Sequence, residues 1–182
     1  MSEELLVRHC SPTLAGMKTA NMFVSSFTGE AEMRETLRRF NTKLGKKGLR
    51  LLPLRFQDNK ALIYVYRPAQ LSRDLQHRTA CRILRERGYG METPSRCIFE
   101  LMQRLGTGEE FPHEIGLFLG YPPEDVCGFI ENRACCKCVG TWKVYGDAES
   151  AKKTFAKYKK CTAVYSAQYA KGQSIERLTV FG

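Results

Sequence analysis

The clearest pattern along the chain is helical. Met33, Leu37, Phe40 and Leu44 recur every three or four residues, while Arg34, Arg38, Arg39, Lys43 and Lys47 fall on other faces. Apolar residues at that spacing line one side of a helix. A helix is therefore expected from about Glu30 to Lys46, stopped by Gly45 and Gly48. The pattern then changes. Leu51–Gln57 and Ala61–Arg67 are runs of apolar, β-branched and aromatic residues joined by Asp58-Asn59-Lys60, which predicts a β-hairpin. Pro53 has no N–H to give a sheet ladder, so its strand is expected at an edge or at a bulge.

Leu5–Cys10 reads as a short strand, with Ser11-Pro12-Thr13 turning into a helix over Ala15–Phe23. After Pro68, the residues Leu71, Leu75, Ile83 and Leu84 mark a helix ending near Gly88. Another helix is expected over Pro94–Leu105, with Cys97, Ile98, Leu101, Met102 and Leu105 on one face. Cys138–Tyr145 reads as a strand. Asp147 then caps a helix that turns Ala151, Phe155 and Tyr158 inward and Lys152, Lys153, Lys157 and Lys159 mostly outward. A further helix is expected over Ala163–Lys171, and Ser174 caps a last turn. No repeat or linker interrupts residues 1–182, so one domain is expected. The order shows no clean βαβ alternation. The fold class is α+β, a small mostly antiparallel sheet with several packed helices.

Residues 113–131 carry a finer pattern. Ile115, Leu119, Val126 and Ile130 have the spacing of two short helices packed at a turn, the first ending at Gly120 and the second starting near Pro123. This is a helix-turn-helix-like corner. Its outward positions would be Glu124, Asp125, Cys127, Gly128 and Glu131, and Phe111–Glu131 contains no Lys or Arg. A corner that reads DNA needs cations near phosphates, so nucleic acid is not the favoured partner of this segment.

Composition adjusts this picture only slightly. Apolar residues make up 43% and charged residues 26%, ordinary for a globular chain with its own core. No basic stretch followed by an apolar one opens the chain, and no run nears the about 20 apolar residues of a membrane helix. A cytoplasmic address and no membrane partner are expected. In that setting the eight cysteines are expected as free thiols. The net charge of +10 favours anionic ligands or polyanions.

Phe111-Pro112-His113-Glu114, followed by Leu119-Gly120-Tyr121-Pro122, resembles the signature of an uncharacterised bacterial family, a domain of unknown function found mainly in anaerobic Gram-positive bacteria. The likeness extends to Arg8-His9-Cys10-Ser11-Pro12-Thr13-Leu14 and to Trp142-Lys143-Val144-Tyr145, and so covers essentially the whole chain. It implies one family domain of bacterial origin. It brings no activity, cofactor or catalytic residue.

Three constellations could carry chemistry. In the first, Cys10 precedes an expected helix start, where partial positive charge would favour a thiolate. His113 would be its base or acid, and Glu114, Asp125 or Asn132 would orient that base. In the second, Cys127, Cys135, Cys136 and Cys138 offer four sulfurs to a thiolate-bound metal such as zinc, Cu(I) or an iron–sulfur cluster, although paired Cys-x-x-Cys knuckles are absent. In the third, His9, Lys18, Arg67, Arg78, Tyr121 and Lys143, with Tyr64, Tyr66, Trp142 and Tyr145, could hold a small anion or stack on bases. The leading expectation is a small-ligand or thiol-dependent site around Cys10 and His113–Glu114, enzymatic or not, for a small anionic molecule; the alternatives are a nucleic-acid-binding or regulatory protein using the helix-turn-helix-like corner, and a metal or redox-binding protein using Cys135, Cys136 and Cys138. The residue types alone do not decide between catalysis and binding.

Overall fold

A computed structural model describes residues 1–107, 111–131 and 135–182. The chain forms two compact units, residues 1–70 with 160–182, and residues 71–159. No described helix is long and apolar enough to cross a membrane.

The first unit contains helix α1 (Glu3–Leu14), strand β1 (Ala20–Ser26), helix α2 (Glu30–Leu44), and strands β2 (Arg50–Gln57) and β3 (Lys60–Tyr66). The sheet is antiparallel in the order β1-β3-β2. Its inner face, with Phe23, Leu51, Ala61, Ile63 and Val65, packs on Leu6, Val7, Cys10 and Leu14 of α1 and on Met33, Leu37, Phe40 and Leu44 of α2. The expected helix and hairpin are both present. Asp58 and Asn59 take positive φ of 50° and 58° between the paired Gln57 and Lys60, the conformation a two-residue hairpin turn needs. Pro53 lies on an edge strand, and the register shifts between Pro53 and Arg55. Both features suit a residue without an amide proton.

The N-terminal region differs from expectation. Glu3–Leu14 is one helix, and Ala20–Ser26 is a strand. Ser2 caps the helix by accepting from the Leu5 amide at 3.3 Å, and Glu3 and Glu4 oppose its dipole. Pro12 sits in the last turn instead of starting a new helix. Burial of Leu6, Val7, Cys10 and Leu14 on one face outweighs the amide bond lost at Pro12.

Helix α3 (Pro68–Leu75) leads out of the first unit. The second unit holds α4 (Arg78–Glu86), α5 (Pro94–Thr107), α6 (Ile115–Phe118), α7 (Pro123–Ile130) and a hairpin of β4 (Cys138–Val139) with β5 (Lys143–Val144). The helix expected to run to Gly88 is therefore two helices, parted at Gln76-His77. The strand expected over Cys138–Tyr145 folds back on itself, because Gly140 turns and donates to the Trp142 carbonyl at 3.0 Å. A side chain at Gly140 would meet the Phe155 ring at 2.2 Å.

Helix α8 (Ala148–Ala170) is continuous where two helices were expected. No Gly or Pro interrupts it. Asp147 caps it, accepting from the amides of Glu149 and Ser150 at 3.0 and 3.1 Å. Ser174 likewise caps α9 (Ile175–Leu178), accepting from the Arg177 amide.

Candidate functional site

The second unit contains an aromatic cavity of about 190 Å³ lined by His113, Tyr121, Asp125, Phe129, Trp142 and Lys143, together with Ile115, Gly116 and Val126. Three short elements build it. Gly116 lets α6 and α7 approach closely, since a Cβ there would lie 2.8 Å from Val126 Cγ2. Gly128 does the same for the segment after β5: a Cβ would lie 2.5 Å from Tyr145 Cγ. Val144 is fully buried and anchors β5, and the adjoining Lys143 and Trp142 line the cavity.

Asp125 fixes this arrangement. It is 3% exposed. Its Oδ2 accepts from Trp142 Nε1 at 2.6 Å, and its Oδ1 accepts from the amides of Tyr145 and Gly146, each at 2.7 Å. The first turn of α7 is thereby bonded to the hairpin. Trp142 stacks on Tyr121, with centroids 5.0 Å apart and planes at 29°, and meets Phe155 edge-on at 4.6 Å. Burial raises the Tyr121 phenol pKa. On the other side, the His113 ring lies edge-on to Phe129 at 4.9 Å, and Lys143 Nζ sits 5.2 Å from the same ring's centroid. One aromatic ring thus carries both basic side chains of the cavity.

This placement corrects several expectations. Asp125, Cys127 and Gly128 are buried, not outward-facing. The acidic corner serves packing and the Asp125 acceptor, because α7 has its own partner in the hairpin. Glu114 does not orient His113. It is 1% exposed, stands at the residue before α6 without a side-chain capping bond, and lies outside the cavity lining. Its Oε1 accepts from the Tyr89 hydroxyl at 2.9 Å and lies 4.0 Å from Arg104 Nη1, while Oε2 has no hydrogen-bond partner among the described residues. Burial, then the charge of Glu114, drives the Tyr89 phenol pKa upward. Neighbouring residues at a helix start project in different directions, so His113 and Glu114 serve different neighbours.

Cys10 belongs to the first unit, on the inner face of α1 and fully buried. It has no helix N-terminus to activate it. Burial pushes its thiol pKa up, and the charge of Lys18 only partly opposes this. Buried Lys18 is shifted down to about 8 by burial, with Cys10 acting in the opposite sense. Arg67, expected among the anion-binding residues, is buried and engaged by backbone carbonyls. Its guanidinium donates to the carbonyls of Thr13 at 2.7 Å, Leu14 at 2.8 Å, Val180 at 3.0 Å and Lys47 at 3.4 Å. The first two are carbonyls at the C-terminal end of α1, where the helix dipole favours a cation; each also accepts a backbone amide, from Gly16 and Val180 respectively. His9 is exposed and stacks on Phe23 at 5.1 Å. Tyr64 stacks on Tyr66 at 4.8 Å, and Arg78 is exposed on α4. From the anion-binding set, the cavity brings together Tyr121, Lys143 and Trp142.

Among the described residues no three His, Cys, Asp or Glu side chains are grouped to hold a metal ion. Cys127 is committed locally: its thiol donates to Glu131 Oε1 at 2.9 Å, and Arg82 Nη2 donates to its sulfur at 3.7 Å. Cys135 is exposed, and Cys136 and Cys138 are half-buried near β4. Asn132 lies outside the described residues.

Residues 6–179 match the family model described as "Protein of unknown function (DUF3793)". The chain belongs to this family. The match covers nearly the whole of the 182 residues, in keeping with the full-length resemblance seen in the sequence. No curated protein and no solved structure matches the chain. In this DUF3793 chain the site must be read from its own geometry. Sequence reasoning missed Phe129, the ring shared by His113 and Lys143, because no local pattern shows which helix position a distant hairpin will cover.

Proposed function

We propose that this protein binds a small, planar, largely apolar molecule carrying an anionic group, in the cavity between α6, α7 and the β4–β5 hairpin. The observation that carries the reading is the shared ring of Phe129, with His113 against its edge and Lys143 over its face. Trp142 and Tyr121 supply a flat apolar wall. Ligand sites are mostly apolar with few convergent polar groups, and Lys143 supplies the cation for an anionic substituent. A cavity of about 150 Å³ is enough for a benzene-sized molecule, so 190 Å³ suits a single ring with a substituent.

Trp142 is the one tryptophan in the sequence and lines the cavity, so its emission reports on occupancy. Titration with benzoate at up to millimolar concentration is expected to change that emission saturably, with neutral benzamide binding more weakly. Lys143→Met is expected to weaken benzoate by on the order of tenfold, about 1.4 kcal/mol. A flat titration, or equal affinity of benzoate for wild type and Lys143→Met, sinks the proposal.

A further inference from the structure

Helix α8 carries a second feature, independent of the cavity. From Ser150 to Ile175 the chain contains six lysines (Lys152, Lys153, Lys157, Lys159, Lys160 and Lys171) and no Asp or Glu. Lys153, Lys157 and Lys160 are exposed. Their i, i+4, i+7 spacing puts them on one stripe of the helix, spanning about 10 Å at 1.5 Å rise per residue. Lys152 is paired with Glu149 at 2.9 Å. Asp147, the cap of α8, has its pKa lowered first by the Ser150 backbone hydrogen bond and last by the charge of Lys153. Like charges three and four residues apart weaken a helix by a few tenths of a kcal/mol per pair, so the stripe is a cost to the free protein that a polyanion would relieve.

We propose that this stripe docks on the phosphate backbone of duplex nucleic acid. Three observations select that partner. The aromatic residues of the lysine-bearing stretch, Phe155 and Tyr158, are half-buried on other faces, so the stripe offers no platform for stacking single-stranded bases. Val164 is the one large exposed apolar residue on α8 among the described residues, too little for a helix lying in a lipid interface. Lysine ammoniums are point charges without the bidentate fork that reads base edges, so binding is to backbone and not to sequence.

The test is anisotropy of a short, labelled, mixed-sequence DNA duplex with the full chain. Neutralising three phosphates gives a slope of log affinity against log salt near −3, so affinity is expected to fall about 40-fold between about 50 and 200 mM salt. The variant K153Q/K157Q/K160Q, checked for native circular dichroism, is expected to lose at least on the order of tenfold in affinity at low salt and to flatten the slope. Lysine acetylation of wild type, mapped by mass spectrometry, provides a readout that needs no variant: duplex should protect Lys153, Lys157 and Lys160. No binding at low salt, salt-independent binding, unprotected lysines, or binding to phosphatidylserine vesicles in place of DNA would each overturn the proposal.

Discussion

The indole of Trp142 donates to the carboxylate of Asp125 at 2.6 Å, across seventeen residues of chain. Replacing Asp125 by Ala removes the acceptor of three donors in a site that is 3% exposed. Unsatisfied buried donors cost about 1–3 kcal/mol each and are not additive. Asp125→Ala is expected to destabilise the protein by about 3 kcal/mol or more, measured by urea unfolding, and to red-shift Trp142 emission as the indole becomes wetter. Wild-type emission in a folded variant would contradict the role assigned to Asp125.

Two glycines should respond oppositely to alanine. At Gly128 the new methyl would lie 2.5 Å from Tyr145 Cγ. Overpacking of that kind costs about 1–3 kcal/mol, and benzoate binding should weaken with it. Gly106, in α5, has no atom of the described residues within 4 Å of its Cβ position. There alanine is expected to raise the melting temperature, worth about 0.5 kcal/mol from helix propensity. A stabilising Gly128→Ala would refute the close packing described for α7.

Stability should rise with pH just above neutrality. The pKa of Lys18 falls from its ordinary 10.5 to about 8 in the fold. Between those values the unfolded chain binds the extra proton, so unfolding free energy climbs with pH, at most about 1.4 kcal/mol per unit. Cys10 acts oppositely. Its thiol is raised above 9.0, so past that pH the unfolded thiol ionises first and stability is lost. The two effects give a rise between about pH 8 and 9 and near-cancellation above it. Lys18→Met should remove the rise. Urea unfolding of both proteins across this range checks the sign; a wild-type-minus-variant difference that ignores pH disproves it.

The thiols should separate by reactivity. Iodoacetamide at about pH 8 is expected to modify exposed Cys135 first and fully buried Cys10 last, with all eight equal in denaturant. Peptide mass mapping gives the order. Native Cys10 reacting as fast as Cys135 would contradict its burial and point to an activated thiol.

Local signals were legible where local energies decide. The period of Met33, Leu37, Phe40 and Leu44 located α2, the Asp58-Asn59 turn located the hairpin, and Asp147 and Ser174 marked helix starts. Where a tertiary contact competes, local reading failed. Ser11-Pro12 looks like a turn, yet burial on the sheet holds α1 helical through it. Acidic residues after Pro123 look solvated, yet Asp125 is turned inward by donors that arrive from Trp142, Tyr145 and Gly146.

By itself the sequence determined the α+β class, the main helix and hairpin, the family, and the concentration of charge on α8. The tertiary structure decided which reactive residues meet. It buried Cys10 in the sheet-facing core, engaged Arg67 with backbone carbonyls, and set His113, Lys143, Tyr121 and Trp142 around one cavity. The reason is physical: helix and turn preferences act over a few residues, whereas a site depends on which apolar faces exclude water together, and that is settled only when distant segments pack.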